Sequence, residues 1–196
     1  MPSEKIYIFD TTLRDGEQAA GATMTLHEKI AVAEILDKMN VDIIEAGFAI
    51  ASIGDFEAVQ KVASTVKNSI VCSLARAKTI DIERAGEALK SNERGRIHTF
   101  ISTSPIHMQA QIKMDEARVL EVIKETVSLA RNLCSDVEWS GMDATRSDRD
   151  FLCKAIEVAI ASGARTVNIP DTVGYTVPNE YAELISYIRN NVVNID

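Results

Sequence analysis

Ionisable residues crowd the end of one apolar run. In residues 6–18, IYIFDTTLRDGEQ, the stretch Ile6, Tyr7, Ile8 and Phe9 reads as a buried strand, and Asp10, Arg14, Asp15, Glu17 and Gln18 follow at once. A solvated loop needs no such density, and burying unpaired charge costs several kcal/mol per ion. The cluster therefore implies a polar pocket in which Asp and Arg pair with each other or hold a cation. Other chemistry-bearing residues follow later apolar runs. Glu45 lies inside one, His98 inside another, Ser140 and Asp143 close a third, and Asn168, Asp171 and Thr172 close a fourth.

The elements that must position these residues alternate. Short Ile- and Val-rich stretches at 5–10, 42–48, 69–75, 96–102, 136–141 and 165–171 read as strands buried on both faces. Helical patterns separate them. TLHEKIAVAEILDKM opens with a capping box, Thr25 followed by Glu28, and puts Ile30, Ala33 and Leu36 or Asp37 at helical spacing. Five more helices are read in GDFEAVQKVASTV, TIDIERAGEALK, MDEARVLEVIKETVSLARNL, DRDFLCKAIEVAIASG and VPNEYAELISYIRNNV, with Gly163 a helix stop.

Alternation of this kind predicts parallel pairing with right-handed crossovers. Six units of about 33 residues in 196 suit an α/β fold, either a TIM (β/α)8 barrel or a doubly wound open sheet. The barrel is preferred because chemical residues follow nearly every strand, as a single catalytic face requires. Eight units need about 250 residues, so this chain holds about six of the eight.

Composition narrows the function classes. Hydrophobic residues make up 46% and charged residues 26%, ordinary for a globular domain, and the net charge is −8 without a basic cluster. Nucleic acid and anionic membranes are poor partners for such a chain. No apolar run approaches the roughly 20 residues of a membrane helix, and the first residues do not read as a signal peptide. Cys72, Cys134 and Cys153, odd in number and widely spaced, read as reduced thiols in a cytoplasmic protein.

DTTLRDGEQ, IEAGF, DFEAV, LARA, RIHTFISTSPIHM, DVEWS, DATRSDRDFL and NIPDTVGYTVP together resemble the 2-isopropylmalate synthase family. More widely the chain is similar to homocitrate and citramalate synthases and hydroxymethylglutaryl-CoA lyase, from about residue 5 to the last residue. The resemblance implies a Claisen condensation of acetyl-CoA with a 2-oxo acid, assisted by a divalent metal ion (Mg, Mn or Zn), in a homodimer. It implies Asp15 as a metal ligand and Arg14 as the cation that stabilises a developing oxyanion. Glu45 and Gln18 would orient Arg14 and line the pocket, and His98, Ser140 and Thr172 would touch the oxo acid.

Structural roles compete for several of these residues. Asp10 reads as a turn-closing carboxylate, His27 as a helix-surface residue, His107 as a loop residue, and Gly174 and Tyr175 as the turn into the last helix. Glu45 is at once a support and a site residue, because a mid-strand carboxylate needs a partner and Arg14 is the natural one. Two departures stand out. Met142 occupies a position where many relatives carry Glu, and no His-x-His pair of the kind that holds the family's metal on strand seven occurs anywhere. Residues 1–196 are thus read as the N-terminal portion of a single catalytic barrel domain, with strands seven and eight and a C-terminal regulatory domain outside it. The alternative is a non-catalytic or partner-dependent module that keeps the barrel sequence without finishing the site.

Overall fold

The structure is a computed structural model that describes residues 5–195. The chain forms two compact units, Met1–Ala75 with Ile80–Ile97, and Arg76–Thr79 with His98–Asp196.

The first unit begins with β1 (Phe9–Asp10), α1 (Leu26–Lys38), β2 (Ile43–Gly47), α2 (Ile53–Thr65) and β3 (Ile70–Arg76). α3 (Thr79–Leu89) and the start of β4 (Gly95–Ser102) complete it. β1 pairs parallel with β2, Phe9 opposite Ile43, and β2 pairs parallel with β3. All five residues of β2 are buried, as both-faced cover by helices demands. α1 packs on α2 and both lie against β2. The Thr25–Glu28 capping box forms as read. Asp37, on the buried face of α1, accepts N–H bonds from Asn68 at 2.9 Å and Ser69 at 2.8 Å, so an acid at an apolar spacing fastens the entry to β3. His27 is exposed on α1.

The run read as a buried first strand is shorter and more open than expected. Ile6, Tyr7 and Ile8 are 81%, 63% and 56% exposed. Two causes are visible. The Ile8 N–H donates to the Asp42 carboxylate at 2.9 Å instead of to a ladder, and Lys5 pairs with the same carboxylate at 2.6 Å. β1 also pairs on one side only within this unit, and edge strands are characteristically short.

The second unit takes the rest of β4, then a single helical turn α4 (Pro105–His107) running into a π-helical turn at Met108–Ile112. α5 (Glu116–Leu133), β5 (Asp136–Met142), α6 (Arg149–Ala161), β6 (Thr166–Asn168) and α7 (Pro178–Asn191) follow. β5 and β6 pair parallel, Ser140 opposite Asn168. α5 and α6 pack together and against β5, burying Val119, Ile123, Val127, Trp139, Phe151, Leu152 and Ile156. Gly163 ends α6 at φ +114, where a Cβ would meet Arg131 Cγ at 2.8 Å, so the stop read in the sequence is a position only glycine fills easily. β6 ends before the expected residue 171 because Pro170 has no N–H and the Ile169 carbonyl accepts the Tyr181 hydroxyl at 2.7 Å. Gly174, at φ +66, turns the chain toward α7, as read, and Tyr175 is exposed. The π turn after α4 was not legible in the sequence. Among the described residues no helix is long and apolar enough to cross a membrane.

Candidate functional site

In the first unit the loop after β1 folds back on itself. The Asp10 carboxylate accepts the Thr12 N–H at 2.9 Å, the turn-closing role expected of it. The Arg14 and Gly16 N–H groups both donate to the Thr11 carbonyl at 3.0 Å, and residues Gly16–Gln18 form one 3-10 turn. This geometry aims Arg14 at β2. Its Nε donates to Glu45 Oε2 at 2.5 Å and its Nη1 to Asp15 Oδ1 at 2.9 Å. Glu45 is completely buried, and the ladder register shifts between Glu45 and Gly47, a local irregularity that bends the strand end carrying it. A fixed, bidentate-capable cation against a buried carboxylate is the arrangement that lets both remain charged at low cost. Arg14 Nη2 has no partner among the described residues.

A cavity of about 330 Å³ opens beside this pair, lined by Arg14, Glu17 and Gln18 from the loop, Phe48 and Asp55 beyond β2, and Leu74 of β3. Gln18 is therefore a lining residue of the Arg14 cavity. Asp15 keeps its side chain 63% exposed. The other carboxylates of the group are engaged: Glu45 by Arg14, and Glu17 by the Met24 N–H at 3.0 Å and by Lys29 Nζ at 2.6 Å. Asp15 fits a divalent cation as one oxygen ligand, whereas a catalytic site takes about three protein ligands with a position open for substrate.

In the second unit a ring nitrogen, a hydroxyl and an amide come together. His98 Nε2 lies 2.6 Å from Ser140 Oγ and 3.8 Å from Glu138 Oε1, all three buried. The Asn168 amide donates to the same Ser140 hydroxyl at 2.9 Å. Strands β4, β5 and β6 thus each supply one member of a His98–Ser140–Asn168 chain. Thr172 is exposed and does not join it. Its hydroxyl accepts the Asp143 N–H at 2.9 Å, so Thr172 is held by the turn after β5.

Asp143 itself is fully buried with φ +65, a left-handed conformation that Asp tolerates better than most residues. Burial opposes its ionisation, but the Arg146 guanidinium and the Ser104 hydroxyl outweigh burial and hold the carboxyl below its usual range. Asp143 Oδ2 accepts from Arg146 Nη2 at 2.7 Å and from the Ser104 hydroxyl at 2.5 Å. His107, read as a plain loop residue, sits in α4 with Nδ1 3.4 Å from the same oxygen, within ion-pair range but without a hydrogen bond. Asp171 is fixed comparably: burial raises its pKa, but the Thr176 N–H and the Thr145 hydroxyl outweigh burial and bring it below its usual range. Met142 contributes its carbonyl, which accepts the Thr103 N–H at 3.1 Å.

Two features escaped sequence reading. Lys29 lies on the buried stripe of α1 with Ala33 and Leu36, and a lysine at such spacing is itself a signal that a buried counter-ion exists. The Asp143 lock has a weaker sequence signal, an acid three residues before an arginine at a strand end.

The HMGL-like family model matches residues 5–196. The chain is 62% identical over 193 residues to a 2-isopropylmalate synthase of Aquifex aeolicus, covering 98% of this chain and 37% of that protein. It is 61% identical to a 2-isopropylmalate synthase of Nitrobacter hamburgensis over the same shares. The chain thus spans little more than a third of the length of the curated relatives it matches. Among solved structures it is similar to the hydroxymethylglutaryl-CoA lyase of Pseudomonas aeruginosa, with a TM-score of 0.79 at 18% identity over 96% of this chain and 65% of that one. An HMG-CoA lyase of Brucella melitensis matches with a TM-score of 0.77 at 18% identity over 96% and 69%. These likenesses show the fold, a TIM-type α/β barrel of which this chain carries six strand–helix units.

Proposed function

The chain belongs to the HMGL-like family, and we propose that it is the N-terminal portion of the catalytic barrel of a 2-isopropylmalate synthase. The reaction is the condensation of acetyl-CoA with 3-methyl-2-oxobutanoate, the first committed step of leucine biosynthesis, in a cytoplasmic homodimer. The methyl group of acetyl-CoA loses a proton, the enolate carbon attacks the ketone, and hydrolysis of the thioester frees CoA.

The observation that carries this reading is Arg14. Glu45 takes Nε and Asp15 takes Nη1, which fixes the guanidinium of a cavity-lining residue and leaves Nη2 without a partner among the described residues. A preorganised guanidinium donor is suited to an oxygen that gains charge in the transition state, because no reorganisation is needed at that moment. Gln18 lines the same cavity and suits the polar end of a substrate. His98, Ser140 and Thr172 offer ring nitrogen and hydroxyl groups, which can both donate and accept, to the carboxylate and carbonyl of the oxo acid. A divalent cation held in part by Asp15 would supply Lewis-acid polarisation of the ketone. Its other ligands would come from the part of the relatives that this chain does not span.

The test is a chimera in which residues 5–195 replace the corresponding segment of the Aquifex aeolicus relative. The chimera should release CoA thiol from acetyl-CoA with 3-methyl-2-oxobutanoate and Mg²⁺ or Mn²⁺, and the 196-residue chain alone should release none. A folded chimera that turned over 2-oxoglutarate or pyruvate in preference would replace the leucine assignment with a homocitrate or citramalate synthase. One that turned over none of these oxo acids would sink the synthase reading.

A further inference from the structure

Lys29 is 5% exposed, and lysines are almost never so buried without a partner. It has two. Nζ lies 2.6 Å from Glu17 Oε2 and 3.7 Å from Asp55 Oδ1. Each partner is itself anchored. Glu17 sits in the 3-10 turn that follows Arg14 and Asp15, and its other oxygen takes the Met24 N–H at 3.0 Å, closing the loop that leads into α1. Asp55 sits in the first turn of α2, where its N–H donates to the Ser52 hydroxyl at 3.1 Å. One ammonium therefore ties the arginine-bearing loop to two helices. Glu17 and Asp55 also line the cavity that Arg14 faces.

Leu13, completely buried, anchors the loop ahead of Arg14, but the part that follows Arg14 has no buried apolar side chain of its own. Gly16, Gln18, Ala19 and Ala20 are small or exposed, and the 3-10 turn buries none of its residues. Without Lys29, Glu17 would be left as a largely enclosed carboxylate with no cation, and the turn would open to hydrate it. Arg14 and Asp15 precede that turn directly and would move with it.

We infer that Lys29 is a positioning residue for Arg14, acting through Glu17, with Asp55 as its second anchor. The inference rests on the role given to Arg14 above. Lys29 does not line the cavity, so it touches no substrate.

The test reads Arg14 directly, by the ¹⁵N-resolved signal of its Nε–H in the 196-residue chain, identified by its disappearance in Arg14→Lys. That proton is held against Glu45 and should be protected from solvent exchange in the native chain. In Lys29→Met the signal should be lost to exchange, in Lys29→Arg it should return, and in Lys38→Met, at an exposed position of the same helix, it should not change. If Lys29→Met does not fold, Glu17→Gln carries the test, since it removes the charge and keeps the shape, and the same loss is expected. A fully protected Arg14 signal in a folded Lys29→Met or Glu17→Gln chain would overturn the inference. Absent turnover in the chimera, with the Arg14 signal still dependent on Lys29, would fail the synthase reading alone.

Discussion

Around Arg14, each enclosed charge is matched by one from a different element: Glu45 comes from β2 and Lys29 from α1, while Arg14 and Glu17 come from the loop. Around Asp143 the nearest cation is local, since Arg146 lies three residues away in the same turn, while the Ser104 hydroxyl and the His107 ring reach the same carboxylate from the segment after β4. The first arrangement exists only when the loop, the helix and the strand are all in place. The second takes its nearest cation from one turn. A group assembled across elements couples the orientation of its arginine to the fold around it, whereas a carboxylate whose cation lies in its own turn keeps that pair even if a neighbouring element shifts. Asp15, by contrast, keeps most of its side chain exposed beside Arg14.

The two regions should respond unequally to damage, and the largest effect belongs to the first. Glu45→Ala leaves the part-buried Arg14 guanidinium with only the exposed Asp15 beside it, and breaking a buried pair from one side costs about 3–5 kcal/mol. Urea denaturation of the 196-residue chain checks this. A loss of under about 1 kcal/mol, the scale of a surface pair, would show that water compensates Arg14.

Asp143→Asn should cost less, about 2 kcal/mol, because the amide keeps the shape and part of the hydrogen bonding. It should also change the pH dependence. The folded pKa of Asp143 lies below its unfolded value of about 3.9, so its contribution is fully present above that pH and is lost as pH falls through the lower folded value. Stability measured from pH 5 down to pH 2 should therefore fall less steeply in Asp143→Asn than in the native chain. Equal slopes, or a greater loss for Asp143→Asn than for Glu45→Ala, would reverse the order and break the comparison.

Legibility in the sequence followed the same division. Strand and helix order, the Thr25–Glu28 box and the Gly163 stop were all readable, because each is set by periodicity or by a local backbone need. Pairing of Arg14 with Glu45 was readable because a mid-strand carboxylate has few ways to be compensated. The exposed start at Ile6, Tyr7 and Ile8 was not, since composition cannot tell an edge from an interior strand, and a side chain 34 residues away, Asp42, takes the ladder's N–H. The bond from the Asp143 N–H to the Thr172 hydroxyl was not legible either, because it depends on a left-handed residue that no pattern announces. Lys29 was hidden in plain sight within a helical stripe and became visible only with Glu17 and Asp55 beside it.

The claim on which the account turns is that Glu45 and Asp15 orient Arg14 so that one guanidinium nitrogen is left for a developing oxyanion. Arg14→Lys in the chimera tests it most directly, since lysine keeps the charge and loses the planar fork that allows three separate contacts. Turnover at saturating acetyl-CoA and 3-methyl-2-oxobutanoate should fall by about 10²–10³, the usual loss when one preorganised oxyanion donor is removed, while the unfolding midpoint stays within that of a mild substitution. Turnover near that of the unsubstituted chimera would contradict the account, because it would mean that charge alone suffices and that the geometry around Arg14 has no part in the reaction.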